Sequence, residues 1–327
     1  MNERELLLRL SAGPLSGDAL ARASGHSRAA VWKRIDALRA AGVAIDARPG
    51  RGYALAQPLE LLDAAMILAQ LPSAIRASIS ALDIAWSLDS TNSELLRRPT
   101  PVQGTTVLLA ERQSAGRGRH GRDWASPLAA NLYLSVARMY CAGLARLPGL
   151  SLVAGVAAAE ALHAIGCSGV RLKWPNDLVI AGDDGGLRKV GGLLIEGGGE
   201  HAGPVSAVVG LGLNVRMPSV FGAAIGQPWT DLATVMGDAL PSRNRLASAV
   251  LAQLLPALDA FDAEGLQAFL PRYRALDALA GHAVTIHAGD DVQDGHALGL
   301  ADDGALRVRI DARERSIHAG EVSVRAA

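Results

Sequence analysis

The chain has few cysteines, few aromatic residues and no net charge, and each shortage excludes a class of protein. Among its 327 residues are two cysteines, Cys141 and Cys167, and 4% of the residues are aromatic. Two cysteines give neither a disulfide framework nor the spacing of a metal site, so we expect a reducing, cytoplasmic setting. The 32 basic and 32 acidic residues cancel. Attraction to nucleic acid must therefore come from a local patch.

Long apolar runs are also lacking. We find no run long enough to cross a bilayer and no signal-peptide core near the first residue, so we expect no contact with a membrane. Half of the residues are nevertheless hydrophobic, which is enough to build two or three domains with sizeable cores.

A basic patch lies near the start of the chain. Residues 27–51 carry six cations against two anions. Apolar spacing predicts three short helices ending near residues 10, 23 and 41, followed by a hairpin with a basic tip. This is the winged-helix arrangement, in which the third helix enters the major groove. A helical cap with a solvated charged face is the alternative. The candidate DNA contacts are Ser27, Arg28, Lys33 and Arg34 on the helix, with Arg48 and Arg51 on the wing.

Residues 116–124, the arginine–glycine loop, alternate three glycines with three arginines. Glycine is costly inside regular structure, and closely spaced cations repel each other unless an anion lies among them. Strands are predicted on both sides, at residues 106–110 and 131–135. The pattern predicts a loop that stays mobile until an anion arrives and then binds phosphate or carboxylate. A solvated loop or an Arg-Gly segment that binds nucleic acid is the alternative.

Three further polar segments are candidates for a site. Residues 89–92 lie where a strand passes into a helix, so they either cap the helix or bind a neutral ligand. Lys173 to Asp177 joins two strands; Lys173 suits a phosphate and Asp177 suits magnesium or a ribose, and a self-satisfied hairpin turn is the alternative. Residues 208–215 form a strand punctuated by glycines, which let another group approach the backbone closely.

The remaining pattern predicts the scaffold. A helical linker is expected over residues 59–70, and long helices over residues 150–164 and 243–264. Short strands separated by turns follow, at residues 284–287, 297–300, 306–310 and 322–325.

Taken in order, these motifs resemble the biotin protein ligases. The resemblance rests on residues 90–92, Gln113, the arginine–glycine loop, and residues 173–177, 189–196 and 210–214. With the winged-helix start, the chain is similar to ligases that also repress biotin-synthesis genes. The resemblance implies an α+β fold with three domains. These are a winged helix-turn-helix domain (1–58), a central α/β catalytic domain with a class II synthetase-like mixed sheet (59–275), and an SH3-like small β-barrel (276–327).

The resemblance also implies a reaction and its partners. Biotin and ATP, with Mg²⁺, would give biotinyl-5′-AMP, and a lysine of the biotin carboxyl carrier protein of acetyl-CoA carboxylase would then accept the biotin. The adenylate would also be the corepressor, favouring a homodimer that binds operator DNA upstream of biotin-synthesis genes. Three rival interpretations are a lipoate-type ligase, a ligand-sensing regulator without turnover, and a ligase whose N-terminal unit no longer binds DNA.

Site residues follow from the same resemblance. The implied catalytic residues are Lys189, Arg119 and Arg117, with Asp177 as a candidate Mg²⁺ ligand. The implied biotin-binding residues are Ser90, Thr91, Asn92, Gln113, Arg117, Gly118, Arg119, Lys189, Gly210 and Gly212. The implied ATP- or adenylate-binding residues are Gly116, Arg122, Trp124, Lys173, Asn176, Asp177, Asn214, Trp229 and Arg325. Two departures are His120, where the family often has arginine, and a longer glycine-rich segment at residues 181–187.

Overall fold

The N-terminal unit consists of three helices and a two-stranded hairpin. The computed structural model describes residues 2–48, 52–141, 143, 147–199, 204–288, 291–311, 313–319 and 322–326. Side chains of Asn2, Ser16 and Ser27 cap the three helices, and the apolar faces of the first and third meet in a shared core. The predicted helix-turn-helix is confirmed, and the wing residue Arg51 lies outside the described residues. The elements are α1 (Glu3–Ser11), α2 (Gly17–Ser24), α3 (Arg28–Ala40), β1 (Ile45–Arg48) and β2 (Gly52–Leu55).

A seven-stranded mixed sheet forms the centre of the molecule. Its strand order is β3-β4-β5-β9-β8-β7-β6. The first two strands are parallel and every other pair is antiparallel. This confirms the predicted central mixed sheet. The strands are β3 (Ile79–Ala85), β4 (Thr105–Ala110), β5 (Leu132–Tyr140), β6 (Arg171–Lys173), β7 (Asp177–Ala181), β8 (Leu187–Gly199) and β9 (Val205–Leu213).

Helices cover this sheet, with α7 packed between the strands and α10. Apolar residues from the sheet, both helices and the C-terminal strands belong to one continuous core. The helices that follow the N-terminal unit are α4 (Ala64–Ala69), α5 (Ser73–Ala77), α6 (Thr91–Arg97), α7 (Leu147–Ala164), α8 (Ser219–Gly222), α9 (Leu232–Met236), α10 (Arg243–Glu264) and α11 (Leu270–Leu276).

Helix α10 corrects the expectation about apolar runs. By length and composition alone it passes as a membrane span, with a mean hydropathy of 1.3 over its most apolar window. In the structure 56% of that window is buried inside the protein. Its first residue, Arg243, is itself buried in an ion pair with Glu111. These features are those of a core helix.

The linker after the N-terminal unit differs from the predicted helix over residues 59–70. Residues 58–63 have no regular secondary structure, and within the predicted segment only α4 is helical. Side chains far away in sequence take up the backbone N–H groups that a helix would use. Leu62 N donates to Glu111 Oε1 (2.6 Å) and Asp63 N donates to Asn244 Oδ1 (2.8 Å).

The C-terminal unit is a five-stranded antiparallel sheet in the order β13-β12-β11-β10-β14. Strand β13 was missed in the sequence, and β11 begins six residues before the predicted strand at 297–300. Both segments are mostly exposed and polar, so they show no alternation of apolar residues. The predicted domain limits, after residues 58 and 275, stay a prediction. The strands are β10 (Ala283–Ala288), β11 (Asp291–Leu300), β12 (Leu306–Ile310), β13 (Arg313–Ile317) and β14 (Val322–Ala326).

Contacts join the three units around one region of the central sheet. Leu128 packs into the N-terminal core and donates its N–H to Ala41 O (2.8 Å). On the other side, Trp174 Nε1 donates to Gly304 O of the C-terminal unit (3.1 Å). Both contacts are made by segments that adjoin the candidate site.

Candidate functional site

An open cavity of about 1430 Å³ lies over the central sheet, and the predicted motifs meet there. It is bounded by the start of α6, the arginine–glycine loop, the β6–β7 turn and strands β8 and β9. The predicted site residues that line it are Ser90, Thr91, Asn92, Gln113, Gly116, Arg117, Gly118, Arg119, Arg122, Trp124, Lys173, Asn176, Asp177, Lys189, Gly210 and Gly212.

An ion pair lies at the floor of the cavity. Lys189 Nζ is 2.6 Å from Asp177 Oδ1, and each side chain is 17% exposed. Lys189 Nζ also lies 5.4 Å from the ring centroid of Trp124, within the range of a cation–π contact. Backbone bonds to Pro228 and Thr230 fix the strand beneath this lysine. An anion that enters the cavity meets a cation whose present partner it can replace.

The arginine–glycine loop folds back on itself as a small hairpin. Trp124 N donates to Gly116 O (2.8 Å), and Gly118 N donates to Arg122 O (2.7 Å). An ideal Cβ at Gly116 would lie 2.5 Å from Ser126 Oγ, so only glycine fits there. His120 adopts a left-handed φ of 55°, which is uncommon for a residue with a side chain. The expected mobility of this loop without an anion stays a prediction.

The loop arginines have different surroundings. Arg117 Nη1 lies 3.0 Å from Glu196 Oε1, and Arg119 Nη2 donates to Ala319 O of the C-terminal unit. Burial lowers the pKa of the half-buried Arg119, an effect that Asp177 opposes and Arg122 reinforces. Arg122 is exposed at the rim of the cavity. The loop therefore connects the central sheet with the C-terminal unit.

The polar start of α6 is a buried hydrogen-bond network. Ser90 caps the helix by accepting from Ser93 N (3.4 Å), as the capping interpretation predicted. Thr91 N donates to Gln113 Oε1 (2.8 Å), and Gln113 Nε2 donates to Ser126 Oγ (3.1 Å). The network fixes these side chains before any ligand arrives.

The two glycines of β9 make room for side chains of the chain itself. A Cβ at Gly210 would overlap Asn92 Oδ1, and a Cβ at Gly212 would lie 2.5 Å from the Trp124 ring. The predicted close approach is therefore present, and the approaching groups are Asn92 and Trp124. Trp124 Nε1 is buried and has no hydrogen-bond partner among the described residues.

Four predicted residues have other contacts in this structure. Asn176 Nδ2 donates to Leu193 O (2.7 Å), and Asn214 is buried with its Nδ2 donating to Thr230 O (3.1 Å). Trp229 Nε1 donates to Gly222 O (3.0 Å), against which its ring packs. The backbone of Arg325 pairs with Thr285 of β10, and its side chain lies outside the described residues. Neither Asn214 nor Trp229 lines the cavity.

The sequence analysis missed Ser135 and Glu196. Ser135 is fully buried, and its Oγ lies 2.7 Å from Thr91 Oγ1 and 2.6 Å from Asn92 Oδ1. Glu196 binds both Arg117 and Asn92. A hydroxyl and a carboxylate inside otherwise apolar strands were the available signals.

A resident metal site is not formed by these side chains. The described residues contain no group of three or more histidine, cysteine, aspartate and glutamate side chains that could hold a metal ion. Asp177 is one carboxylate, and Lys189 already neutralises it. Mg²⁺ is usually held by one or two carboxylates together with substrate phosphates and water.

The exposed side of α3 forms the candidate DNA surface. Arg28 is 3.3 Å from Asp18, and Arg48 is 3.4 Å from Asp46, so both cations are partly neutralised. Ser27 caps the helix, Lys33 is exposed, and Arg34 has its Nη1 buried. Trp32, which the sequence analysis did not select, is 52% exposed on the same helix.

Comparison with known proteins gives three matching family models. Residues 85–214 match the biotin/lipoate A/B protein ligase family, residues 3–54 match an HTH domain, and residues 280–325 match the biotin protein ligase C-terminal domain.

Individual relatives cover most of the chain. The bifunctional ligase/repressor BirA of Escherichia coli (strain K12) is 39% identical over 95% of this chain and 93% of its own length. The biotin–acetyl-CoA-carboxylase ligase of Mycobacterium tuberculosis is 34% identical over 74% of this chain and 88% of its own. A solved structure of the biotin protein ligase from Aquifex aeolicus in complex with biotin and ATP is 27% identical, with a TM-score of 0.62. It covers 76% of this chain and 100% of its own.

Proposed function

Because this chain belongs to the biotin protein ligase family, in the form that joins a ligase to a DNA-binding repressor, we propose that it biotinylates a carrier protein and represses transcription. Its substrates are biotin, ATP and a lysine of the biotin carboxyl carrier protein of acetyl-CoA carboxylase. The observation that carries this proposal is the convergence of Lys189, the arginine–glycine loop and the polar start of α6 on one cavity.

The first step needs positioning and charge stabilisation rather than a protein nucleophile. A carboxylate oxygen of biotin attacks the α-phosphorus of ATP, and pyrophosphate leaves with the electron pair of the broken P–O bond. Lys189 contacts the carboxylate and the α-phosphate in place of Asp177, while Arg117 and Arg119 close over the two anions. Holding the reactants together and stabilising charge at phosphorus are the dominant contributions in such a site.

The second step releases AMP. The neutral lysine amine of the carrier protein attacks the biotinyl carbonyl carbon, the C–O bond to phosphate breaks, and the amine loses a proton. The same cations stabilise the departing phosphate.

The biotin ring binds against the polar start of α6. Ser90, Thr91, Asn92 and Gln113 provide hydrogen-bonding groups for the ureido ring, and the backbones of Gly118, Gly210 and Gly212 lie alongside. The buried network holds these groups in place, which lowers the entropy lost on binding.

The adenylate end binds towards the rim. Gly116, Arg122, Trp124, Lys173, Asn176 and Asp177 line that part of the cavity. Asn214 and Trp229 contribute to adenine binding only after local rearrangement, because both side chains are committed elsewhere. Arg325 of the C-terminal unit acts on ATP or on the carrier protein. Asp177 is the candidate protein ligand for a Mg²⁺ ion bound to ATP, and such an ion would screen the negative charge of the phosphates.

The N-terminal unit binds operator DNA upstream of biotin-synthesis genes. The adenylate orders the arginine–glycine loop and favours a homodimer, so that two wings meet two half-sites. We place the protein in the cytoplasm, where both substrates and DNA are available and where unpaired cysteines are usual. A gel shift with that upstream DNA, with and without biotin plus ATP, tests repression. Sedimentation that shows one oligomeric state with and without the adenylate would contradict the dimer.

Pyrophosphate release tests the ligase. The purified chain is incubated with ATP and biotin, with ATP and lipoate, or with ATP alone, and label transfer to a carrier-protein domain is then measured. Release and transfer with biotin are expected, and Lys189→Met should abolish both. Pyrophosphate release with lipoate and not with biotin would indicate a lipoate–protein ligase instead. No release with either acid would favour a ligand-sensing regulator.

A further inference from the structure

Glu196 is a charged residue placed where the sequence is otherwise apolar or glycine. It lies on β8 opposite Val208 of β9, and its side chain is 22% exposed. It does not line the cavity. Any effect of this carboxylate on a bound ligand must therefore act through its neighbours.

The two carboxylate oxygens of Glu196 hold two different walls of the cavity. Oε1 lies 3.0 Å from Nη1 of Arg117 in the arginine–glycine loop. Oε2 accepts a hydrogen bond from Nδ2 of Asn92 at the start of α6 (2.9 Å). Hydrogen bonds that involve a charged partner are the stronger ones in proteins. A single side chain thus joins the loop to the helix.

The same network continues from Asn92 to the far end of the loop. Asn92 Oδ1 is bonded to Ser135, Ser135 to Thr91, and Thr91 to Gln113. Gln113 Nε2 donates to Ser126 Oγ, and Ser126 Oγ donates to Trp124 O (2.9 Å). The loop is consequently held at both of its ends, at Arg117 through Glu196 and at Trp124 through Ser126.

Gly210 makes this arrangement possible. Any side chain at position 210 would overlap Asn92, which would then have to withdraw from Glu196 and from Leu194 O (3.1 Å). The glycine in β9 is thus required by the network that carries the loop.

We propose that Glu196 is a positioning residue that anchors the arginine–glycine loop to the start of α6 beside the cavity and thereby sets how long the acyl-adenylate stays bound. The contacts described above support the anchoring of the loop. The role in retaining the adenylate rests on the proposed function. Neutralising the carboxylate weakens its bond to the Arg117 guanidinium and leaves the lining of the cavity chemically unchanged.

Hydrogen exchange on the full chain without ligand tests whether Glu196 anchors the arginine–glycine loop. Glu196→Gln keeps the shape but removes the charge, and Glu196→Asp keeps the charge but is one methylene too short to hold both partners. Glu160→Gln is the control, because Glu160 is a similarly exposed partner of Arg272 away from the cavity. Exchange of the amides at Gly118 and Trp124 should be about tenfold faster in Glu196→Gln, intermediate in Glu196→Asp and unchanged in the control. Unchanged exchange in Glu196→Gln overturns the proposal.

The rate at which the adenylate dissociates tests whether Glu196 sets how long this intermediate stays bound. The intermediate is formed from labelled biotin and ATP and then chased with unlabelled adenylate. Glu196→Gln should release the adenylate about tenfold faster and should raise KM for biotin. The single-turnover rate of biotin transfer, at saturating carrier protein, should change by less than about threefold. An unchanged release rate overturns the role in retention. A wild-type chain that makes no adenylate overturns the proposed function instead, and hydrogen exchange still decides the role of Glu196.

Discussion

At the scale of single residues, the site depends on side chains that fill the space left by glycines. Gly210 and Gly212 lie next to each other on the same face of β9, and Asn92 and Trp124 occupy the positions where their side chains would be. The sequence indicated that something approaches this strand closely. It did not identify the approaching groups, because they come from segments about 90 to 120 residues earlier in the chain.

The substitution Gly212→Ala tests whether Trp124 needs the space that a glycine leaves at position 212. The added methyl group would lie 2.5 Å from the Trp124 ring, which must move away from Lys189. We expect kcat/KM for biotin to fall about thirtyfold, equivalent to about 2 kcal/mol of lost transition-state stabilisation. Gly198→Ala on β8 is the matched control, since nothing lies within 4 Å of its added carbon. Equal activity of the two variants would contradict the packing role of Gly212.

Asp277, next to β6, allows a prediction about pH. Burial raises the pKa of its carboxyl group, although hydrogen bonds from the N–H groups of Leu279 and Ala280 and the nearby His282 oppose the shift. An acid with a raised folded-state pKa destabilises the fold when it is ionised. That cost is absent below its unfolded-state pKa of about 4 and complete once the pH exceeds the folded-state value.

Asp277→Asn should therefore melt at a higher temperature than the wild type at pH 7, because it keeps an acceptor for Leu279 N and carries no charge. The difference should shrink towards zero as the pH falls below about 4. Thermal melts across this pH range are the measurement. A constant difference at every pH would show that ionisation of Asp277 is not its source.

At the scale of secondary-structure elements, the cavity forms where the start of α6, the arginine–glycine loop, the β6–β7 turn and strands β8 and β9 come together. Sequence patterns predicted most of the helices and strands of the molecule, among them α10, whose predicted limits match the observed ones. The prediction of a helix over residues 59–70 was wrong for its first part, because side-chain oxygens of Glu111 and Asn244 accept hydrogen bonds from the backbone N–H groups there. Strand β13 was missed because an exposed edge strand has no buried face to create a period of two.

Trp32 on helix α3 allows a prediction about recognition of the DNA sequence. Trp32 is 52% exposed on the helix that we propose enters the major groove, where an apolar group can contact thymine methyl groups. We expect Trp32→Ala to weaken binding to the operator about fivefold while leaving non-specific binding and the salt dependence unchanged. Leu8→Ala is the control, since Leu8 is 50% exposed on α1. Fluorescence anisotropy with specific and random duplexes measures both. Equal losses on all duplexes would assign Trp32 to backbone contact instead.

At the scale of the whole molecule, a buried polar network anchors the segment between the N-terminal unit and the central sheet. Arg243 Nη2 is 2.8 Å from Glu111 Oε2, with the two side chains 7% and 3% exposed. Arg243 also donates to Asn131 O (3.2 Å), and Glu111 accepts from Leu62 N. The network joins the start of α10, the end of β4 and the linker.

Glu111→Gln should therefore destabilise the protein strongly. Removing one partner leaves the buried guanidinium uncompensated, at a cost of about 3 kcal/mol, and the thermal midpoint should fall by about 4 °C. Glu314→Gln removes an exposed partner of Arg307 and should shift the midpoint by about 1 °C at most. Differential scanning calorimetry on both variants compares the two. Similar midpoints would mean that Arg243 finds another partner.

The sequence by itself determined the order of the units and the family, because local spacing, capping residues and glycine-rich motifs act within short stretches of chain. It also identified the arginine–glycine loop, Lys189 and the start of α6 as parts of one site. The tertiary structure alone decided what each side chain contacts. Three sets of contacts depend on strand register and helix packing: the pairing of Lys189 with Asp177, the bonds of Glu196 to Arg117 and Asn92, and the hydrogen bonds of Asn214 and Trp229 outside the cavity. These contacts join residues on different strands, helices and loops, so no pattern within a single element encodes them.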